Sequence, residues 1–249
     1  MGLETRRIGE KILGLRQLIK QPFQPIMRAR RAAEATRSLH PRTCPMCGYR
    51  GYFDAYGRPP RLDAMCRSCF SLERHRLFWL WFRDNSDKLL EPVVHFAPEK
   101  IFVSRFREAL ADYRTSDPMM ADVDLRLDLE QLDLPDDSVG TVICNHVLEH
   151  VDDTKAMAEI YRVLKPGGLA ILSVPIVEGW ESTYEVDGIT SEHDRELHFG
   201  QYDHVRYFGR DFRDRLRNAG FSIEEVTAEG PAVIEYGLQR GEKVFLCSK

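Results

Sequence analysis

Apolar residues recur along this chain in two rhythms. Between residues 3 and 20 they fall at Ile8, Ile12, Leu15 and Ile19, a 4-3-4 spacing that gathers them on one helical face. Pro22 and Pro25 end that helix. A second apolar helix follows Ser71 and holds the longest unbroken apolar run, from Leu77 to Phe82. From about residue 91 short apolar runs alternate with helical stretches. Strands are expected over 93–96, 112–116, 125–128, 141–145, 170–174, 221–226 and 244–247. Helices are expected over 99–110 and 153–164, with an irregular link near 118–123. Strands alternating with helices predict an α/β domain with a doubly wound, mostly parallel sheet, Rossmann-like in layout. Ligands of such sheets sit off the carboxyl ends of the strands.

Composition adds limits. The longest apolar run, six residues, falls far short of the roughly 20 that a membrane-spanning helix needs, and the mean hydropathy of -0.38 agrees. Net charge is only -4, yet residues 1–43 carry +7 and the remainder carries -11. A cationic arm on an acidic body suits an anionic contact, phosphate or membrane surface, and the apolar stripe of residues 1–20 favours a peripheral membrane contact or packing on the body. The N-terminus lacks the apolar core of a secretory signal, being interrupted by Arg6, Arg7, Lys11 and Arg16. A cytoplasmic protein is expected, with peripheral attachment at the inner face of the membrane as the variant the arm would allow.

Two Cys-x-x-Cys pairs, Cys44/Cys47 and Cys66/Cys69, stand 18 residues apart. The spacing fits a four-cysteine zinc site, two tight turns each presenting two thiolates to a tetrahedral ion. Four thiolates leave no open coordination position, so the Zn²⁺ would be structural. The expected organisation is a basic arm (1–43), a small zinc ribbon with its docking helix (44–90) and an α/β domain (91–249).

The chemistry concentrates between Asp128 and Pro175. L-P-D-D-S at 134–138, V-L-E-H-V at 147–151 and R-V-L-K-P-G-G-L-A-I-L at 162–172 occur in order, followed by D-H-V-R-Y-F-G-R-D-F-R-D-R-L-R-N-A-G-F at 203–221. In these segments the chain resembles the class I methyltransferases that use S-adenosylmethionine, particularly the type-11 methyltransferase domain, over about 155 of its 249 residues. Local physics agrees: Asp152 and Asp153 are candidate caps for the helix that follows them, and Lys165-Pro166-Gly167-Gly168 is a helix stop. His146-Val147-Leu148-Glu149-His150 also fits the H-x-x-E-H pattern of inverted zinc peptidases. That pattern needs helix on both sides, whereas here it directly follows a strand, which argues against a peptidase.

The resemblance implies roles for particular residues. Asp117, with Ser116 beside it, occupies the place of the acid that holds the ribose hydroxyls. Asp128 stands where an acid receives the adenine amino group, with Leu129 as backbone and apolar edge. Asn145 and His146 would line the sulfonium end. The segment V-V-H-F-A-P-E-K departs from the family, which has an acid and glycines there; His95, Ala97, Pro98 and Glu99 take their places. Pro98 lacks a donor, and Glu99 adds negative charge where the cofactor carboxylate would lie. Gly140 also replaces a usual Asp. On the acceptor side, the lid of residues 176–204 offers Glu178, Tyr184, Glu185, His193, His198, Tyr202, Asp203 and His204. His146, His198 and His204 are the candidate bases for a hydroxyl acceptor. The reading favours S-adenosylmethionine-dependent transfer to a small or glycan-like hydroxylated acceptor. A ribosomal RNA base is the main rival acceptor, and a non-catalytic zinc-ribbon scaffold with a degenerate cofactor pocket is the third reading. Sequence leaves the oligomeric state open.

Overall fold

The computed structural model describes residues 23–38 and 40–249. The amphipathic helix expected over residues 3–20, and with it the membrane contact, lies outside them. Among the described residues no helix is long and apolar enough to cross a membrane. Contacts divide the chain into two units, Met1–Leu72 and Glu73–Lys249.

The first unit contains helix α1 (Phe23–Ala35) and two small antiparallel pairs. Strand β1 (Arg42–Thr43) pairs with β2 (Arg50–Gly51), and β3 (Asp54–Tyr56) pairs with β4 (Arg61–Met65). An ion pair between Arg42 and Asp63, 2.7 Å apart and largely shielded from water, ties the first pair to the second.

In the second unit helix α2 (Glu73–Asn85) opens the fold. Its Phe78 and Phe82 rings pack at 4.4–5.7 Å on Phe102 and Phe106 of α3 (Lys100–Ala109), and fully buried Arg76 donates to the carbonyls of Tyr236 and Gly237. Helix α2, expected as a docking helix, belongs to the second unit.

Six strands form one sheet: β5 (Val93–Phe96), β6 (Tyr113–Ser116), β7 (Val139–Asn145), β8 (Leu164–Ser173), β9 (Ser222–Thr227) and β10 (Lys243–Ser248). Their spatial order is β6-β5-β7-β8-β10-β9. The first four are mutually parallel, whereas β10 runs antiparallel to both neighbours. From β5 the chain goes to one side for β6 and to the other for β7, and right-handed crossovers in opposite directions put their helices on opposite faces. This is the expected doubly wound arrangement, and the point of reversal opens a crevice at the carboxyl ends of β5, β6 and β7. β5 and β7 are buried along their whole length, which explains why they read as continuous apolar runs. Val142, Ile160, Leu172, Phe208, Phe212 and Phe245 belong to the core beneath them, each worth about 1.5–3 kcal/mol of burial.

Three local outcomes bear on the site. Helix α4 (Asp153–Val163) is capped as the sequence expects, the Asp152 side chain accepting from the Lys155 amide at 3.2 Å. The strand expected over 125–128 shrinks to two isolated bridges, one between Ser116 and Leu125 and one between Asp128 and Gln131. The Asp128 carboxylate accepts from the Glu130 amide at 2.9 Å, and that turn carries the chain away from the sheet. Gly140 lies where β7 passes under the preceding loop. A Cβ there would stand 2.2 Å from the Leu90 carbonyl oxygen, so the position has no room for the usual Asp. Gly140→Asp is expected to cost about 3 kcal/mol through backbone displacement and to lower the denaturant midpoint accordingly. An unchanged midpoint would show that the loop moves aside freely.

Candidate active site

At the carboxyl ends of β5, β6 and β7 lies a cavity of about 390 Å³, inside the range of about 300–1,000 Å³ typical of small-molecule sites. Its wall includes Phe96 and Ala97 after β5, Ser116 and Asp117 after β6, Asp128 and Leu129, and His146 after β7. His150 and Asp203 complete one side. A larger hollow of about 650 Å³ lies in the first unit, where Arg67 and Asp54 on its rim form an ion pair at 2.7 Å.

Two non-glycine residues at this crevice take left-handed backbone, Ala97 (φ 45°) and His146 (φ 54°). Such conformations cost about 1–2 kcal/mol each and concentrate at functional sites. At Ala97 the small side chain keeps a glycine-like turn without glycine, its amide donating to the Ser116 carbonyl at 2.9 Å. The His146 amide donates to Ser173 at 2.8 Å, fixing the turn after β7 to β8.

The polar groups divide into committed and uncommitted atoms. One Asp117 oxygen accepts from the amides of Met119 and Met120 at 2.7 and 2.8 Å, which fixes the carboxylate at the rim. Ser116 Oγ and His146 Nε2 are buried without a hydrogen-bond partner among the described residues. An unpaired buried polar atom is costly, so both point to something that binds there. His146 Nδ1 lies 3.1 Å from Glu149 Oε1, a contact that orients the ring.

Other expected residues stand elsewhere. His95 is fully buried, its Nδ1 2.8 Å from the Tyr113 hydroxyl and its Nε2 2.9 Å from Glu99. Neither His95 nor Glu99 lines the cavity. Burial alone would raise the Glu99 carboxyl pKa, but the hydrogen bond and charge of His95 reverse this and hold it below the usual range. The anticipated negative charge at the start of α3 is thus occupied by His95. Asn145 accepts from Ser173 Oγ at 2.9 Å and is buried beside the cavity rather than in its wall. His198, exposed on α5 (Glu192–Phe199), lies 2.7 Å from the Tyr184 hydroxyl and outside the lining. His204 is buried, its Nδ1 3.1 Å from the Phe199 carbonyl, with no place in the wall. Within the lid, Glu178 pairs with Arg213 at 2.7 Å, and Glu185 pairs with Arg206 and Arg215 at 2.9 and 2.6 Å. Those acids hold structure instead of facing an acceptor.

Sequence reasoning passed over Arg206, which donates to the carbonyls of Leu148 and Val151 at 2.9 and 2.5 Å and so clamps the turn bearing Glu149 and His150. A lone basic residue in D-H-V-R-Y-F gave no sign of that. Residues 147–151 form a turn and not the helix a peptidase motif requires.

In the first unit, the Cys44 and Cys69 sulfurs are 3.6 Å apart and those of Cys47 and Cys66 are 3.8 Å apart, far beyond a disulfide bond. Each pair sits in the same turn: the Gly48 amide donates to the Cys44 carbonyl and the Phe70 amide to the Cys66 carbonyl, both at 2.9 Å. Gly48 (φ 75°) and Phe70 (φ 60°) occupy equivalent left-handed positions. All four thiols fall within 4.8 Å of one another. Four sulfurs bonded at about 2.3 Å to a tetrahedral ion would lie about 3.8 Å apart, so the set fits such an ion.

Residues 88–172 match the family described as Methyltransferase domain. Over that stretch the α/β unit is similar to a methyltransferase domain. A curated protein of Mycolicibacterium smegmatis, described as a probable S-adenosylmethionine-dependent methyltransferase, is 28% identical over 127 residues, 49% of this chain and 45% of that protein. The chain therefore spans less than half of that relative's length. A crystal structure of a methyltransferase from Archaeoglobus fulgidus, dependent on S-adenosylmethionine, is similar over 70% of this chain and 93% of that one, with 13% identity and a TM-score of 0.49. The 1,6-didemethyltoxoflavin-N1-methyltransferase of Burkholderia thailandensis, solved with S-adenosylhomocysteine, is similar over 71% of this chain and 78% of that one, at 15% identity and a TM-score of 0.47. The matched segment ends at residue 172, so the similarity does not extend to residues 176–204.

Proposed function

We propose that this protein transfers the methyl group of S-adenosylmethionine to a small or glycan-like hydroxylated acceptor. The observation that carries the reading is the switch-point cavity of the methyltransferase domain, where Asp117 and Asp128 meet the unpartnered Ser116 Oγ and His146 Nε2. The residues present fit the cofactor. Asp117, held by two backbone amides, retains an oxygen for ribose hydroxyls, and Ser116 Oγ lies next to it in sequence. Asp128 would accept from the adenine amino group, and Leu129 would cover the ring edge. When bound, S-adenosylmethionine supplies an electrophilic methyl carbon on a sulfonium. The chain's own task is then to align an acceptor in line with that carbon and to exclude water. His146, oriented by Glu149, would take the proton of an acceptor hydroxyl.

The reading assigns a second, structural role to the first unit, with one Zn²⁺ held by Cys44, Cys47, Cys66 and Cys69. The matching turns and the sulfur separations support it. With all coordination positions filled by thiolate, this ion would organise the fold and take no part in methyl transfer.

Incubation of the protein with methyl-labelled S-adenosylmethionine and a panel of saccharides, polyols and phenols is expected to give label transfer and S-adenosylhomocysteine with at least one of them. Transfer to ribosomal RNA with none of the panel methylated would replace this acceptor class.

A further inference from the structure

Beside the cofactor crevice, one donor atom from each of Glu149, His150 and His204 lies within 4.8 Å of the other two. No hydrogen bond joins any two of the three side chains, although Glu149 is 1% and His204 9% exposed. Glu149 Oε2 is buried with no partner among the described residues. A buried carboxylate oxygen left unpaired is expensive, and two imidazoles close to the carboxylate without bonding to it do not relieve the cost. From this arrangement we propose that Glu149, His150 and His204 bind a divalent transition-metal ion, and Zn²⁺ is an ion that a two-histidine, one-carboxylate set accommodates.

The groups around the three match what metal ligands require. A ligating histidine has its other ring nitrogen held by a carboxylate or carbonyl, which sets the tautomer and aims the free nitrogen. His150 Nδ1 lies 3.3 Å from Asp203 Oδ2, and His204 Nδ1 lies 3.1 Å from the Phe199 carbonyl, which leaves Nε2 of each ring for an ion. Glu149 Oε1 is 3.1 Å from His146 Nδ1, which leaves Oε2. Arg206 fixes the turn that bears Glu149 and His150 through the carbonyls on either side. The ligands come from two segments, the turn after β7 and the end of the lid, so an ion would also fasten the lid to the cofactor half.

Three protein ligands leave at least one position of a tetrahedral ion open, and His150 and Asp203 line the cavity. The role that follows rests on the methyl-transfer reading, though ion binding itself does not. An acceptor hydroxyl entering the open position would lose its proton to solvent or to His146. Its oxygen would bond to the methyl carbon as the carbon–sulfur bond breaks, and S-adenosylhomocysteine would leave with the electron pair of that bond. The ion would act by lowering the pKa of the bound hydroxyl, as it does for bound water.

The test uses the full chain dialysed against micromolar Zn²⁺, with metal counted by elemental analysis. Two Zn²⁺ per chain are expected in the native protein and one in Glu149→Gln and in His204→Asn. The remaining ion of these variants should be thiolate-bound, shown after Co²⁺ substitution by an intense thiolate-to-metal charge-transfer band. Circular dichroism checks folding, and His150→Asn, at the cavity wall, provides the same loss if a buried variant fails to fold. Zinc content equal to native in folded Glu149→Gln and His150→Asn would overturn the proposal. Calorimetry of the native protein with S-adenosylmethionine separates the two readings: a second Zn²⁺ without cofactor binding keeps the metal site and removes the methyl-transfer role.

Discussion

Cys66→Ser is expected to empty the four-cysteine site and unfold the segment 40–72, the largest single effect anticipated in this chain. Structural zinc contributes about 10–16 kcal/mol in small domains of this kind, far more than two two-stranded pairs supply alone. The strands of the first unit are two to five residues long, and isolated pairs of that size are marginal in water. Without the ion, the two left-handed turns at Gly48 and Phe70 lose what holds them together. Limited proteolysis should cut Cys66→Ser within 40–72 under conditions that leave the native chain whole, and elemental analysis should show the loss of one equivalent of zinc. A variant that retains its zinc and its resistance to protease would refute the assignment.

Arg206→Ala is expected to lower stability by about 3 kcal/mol and to weaken cofactor binding together with it. The side chain is 10% exposed and faces Asp153, itself 3% exposed, at 3.3 Å. It also pairs with Glu185 and donates to the carbonyls of Leu148 and Val151. Removing one partner of a buried ion pair costs about 3–5 kcal/mol, and the lower end applies because Arg215 still holds both Asp153 and Glu185. For a chain of this size that corresponds to a fall of roughly 6–12 °C in Tm. Arg206→Lys should recover little, since one ammonium cannot replace a planar fork serving carboxylates and carbonyls together. A Tm within a degree or two of native for Arg206→Ala would mean that Arg215 alone holds the network.

What the sequence shows and what it withholds follow from the range of the interactions. β5 and β7 were legible because strands buried on both faces must be apolar throughout, and the end of α4 because Lys165-Pro166-Gly167-Gly168, with Gly167 at positive φ (77°), cannot continue a helix. The pairing of the two cysteine turns was legible because two Cys-x-x-Cys spacings each fit a tight turn. The expected strand over 125–128 was misleading, since the segment makes only two isolated bridges and a turn governed by the Asp128 side chain. Gly140 looked like a defect in the family pattern, yet the reason for it lies about fifty residues upstream, in the Leu90 carbonyl that passes over it. His95 and Glu99 looked like cofactor ligands because of where they stand in the chain; four residues apart across the strand–helix turn, they instead satisfy each other. The convergence of His204 on Glu149 and His150 depends on the path of the lid, which no local pattern records. Sequence did mark the last two as an H-x-x-E-H motif, but on a turn the motif serves a different geometry from that of a peptidase helix.

Calorimetric titration of zinc-replete protein with S-adenosylmethionine and with S-adenosylhomocysteine, native and Asp117→Ala side by side, tests the central claim most directly. Saturable binding of one molecule per chain is expected for the native protein. In the variant, loss of a charge-assisted hydrogen bond worth about 1.5–3 kcal/mol should weaken binding roughly 10- to 150-fold with the fold intact. Absence of binding by the folded native protein, or equal affinity in Asp117→Ala, would contradict the assignment of this cavity to S-adenosylmethionine.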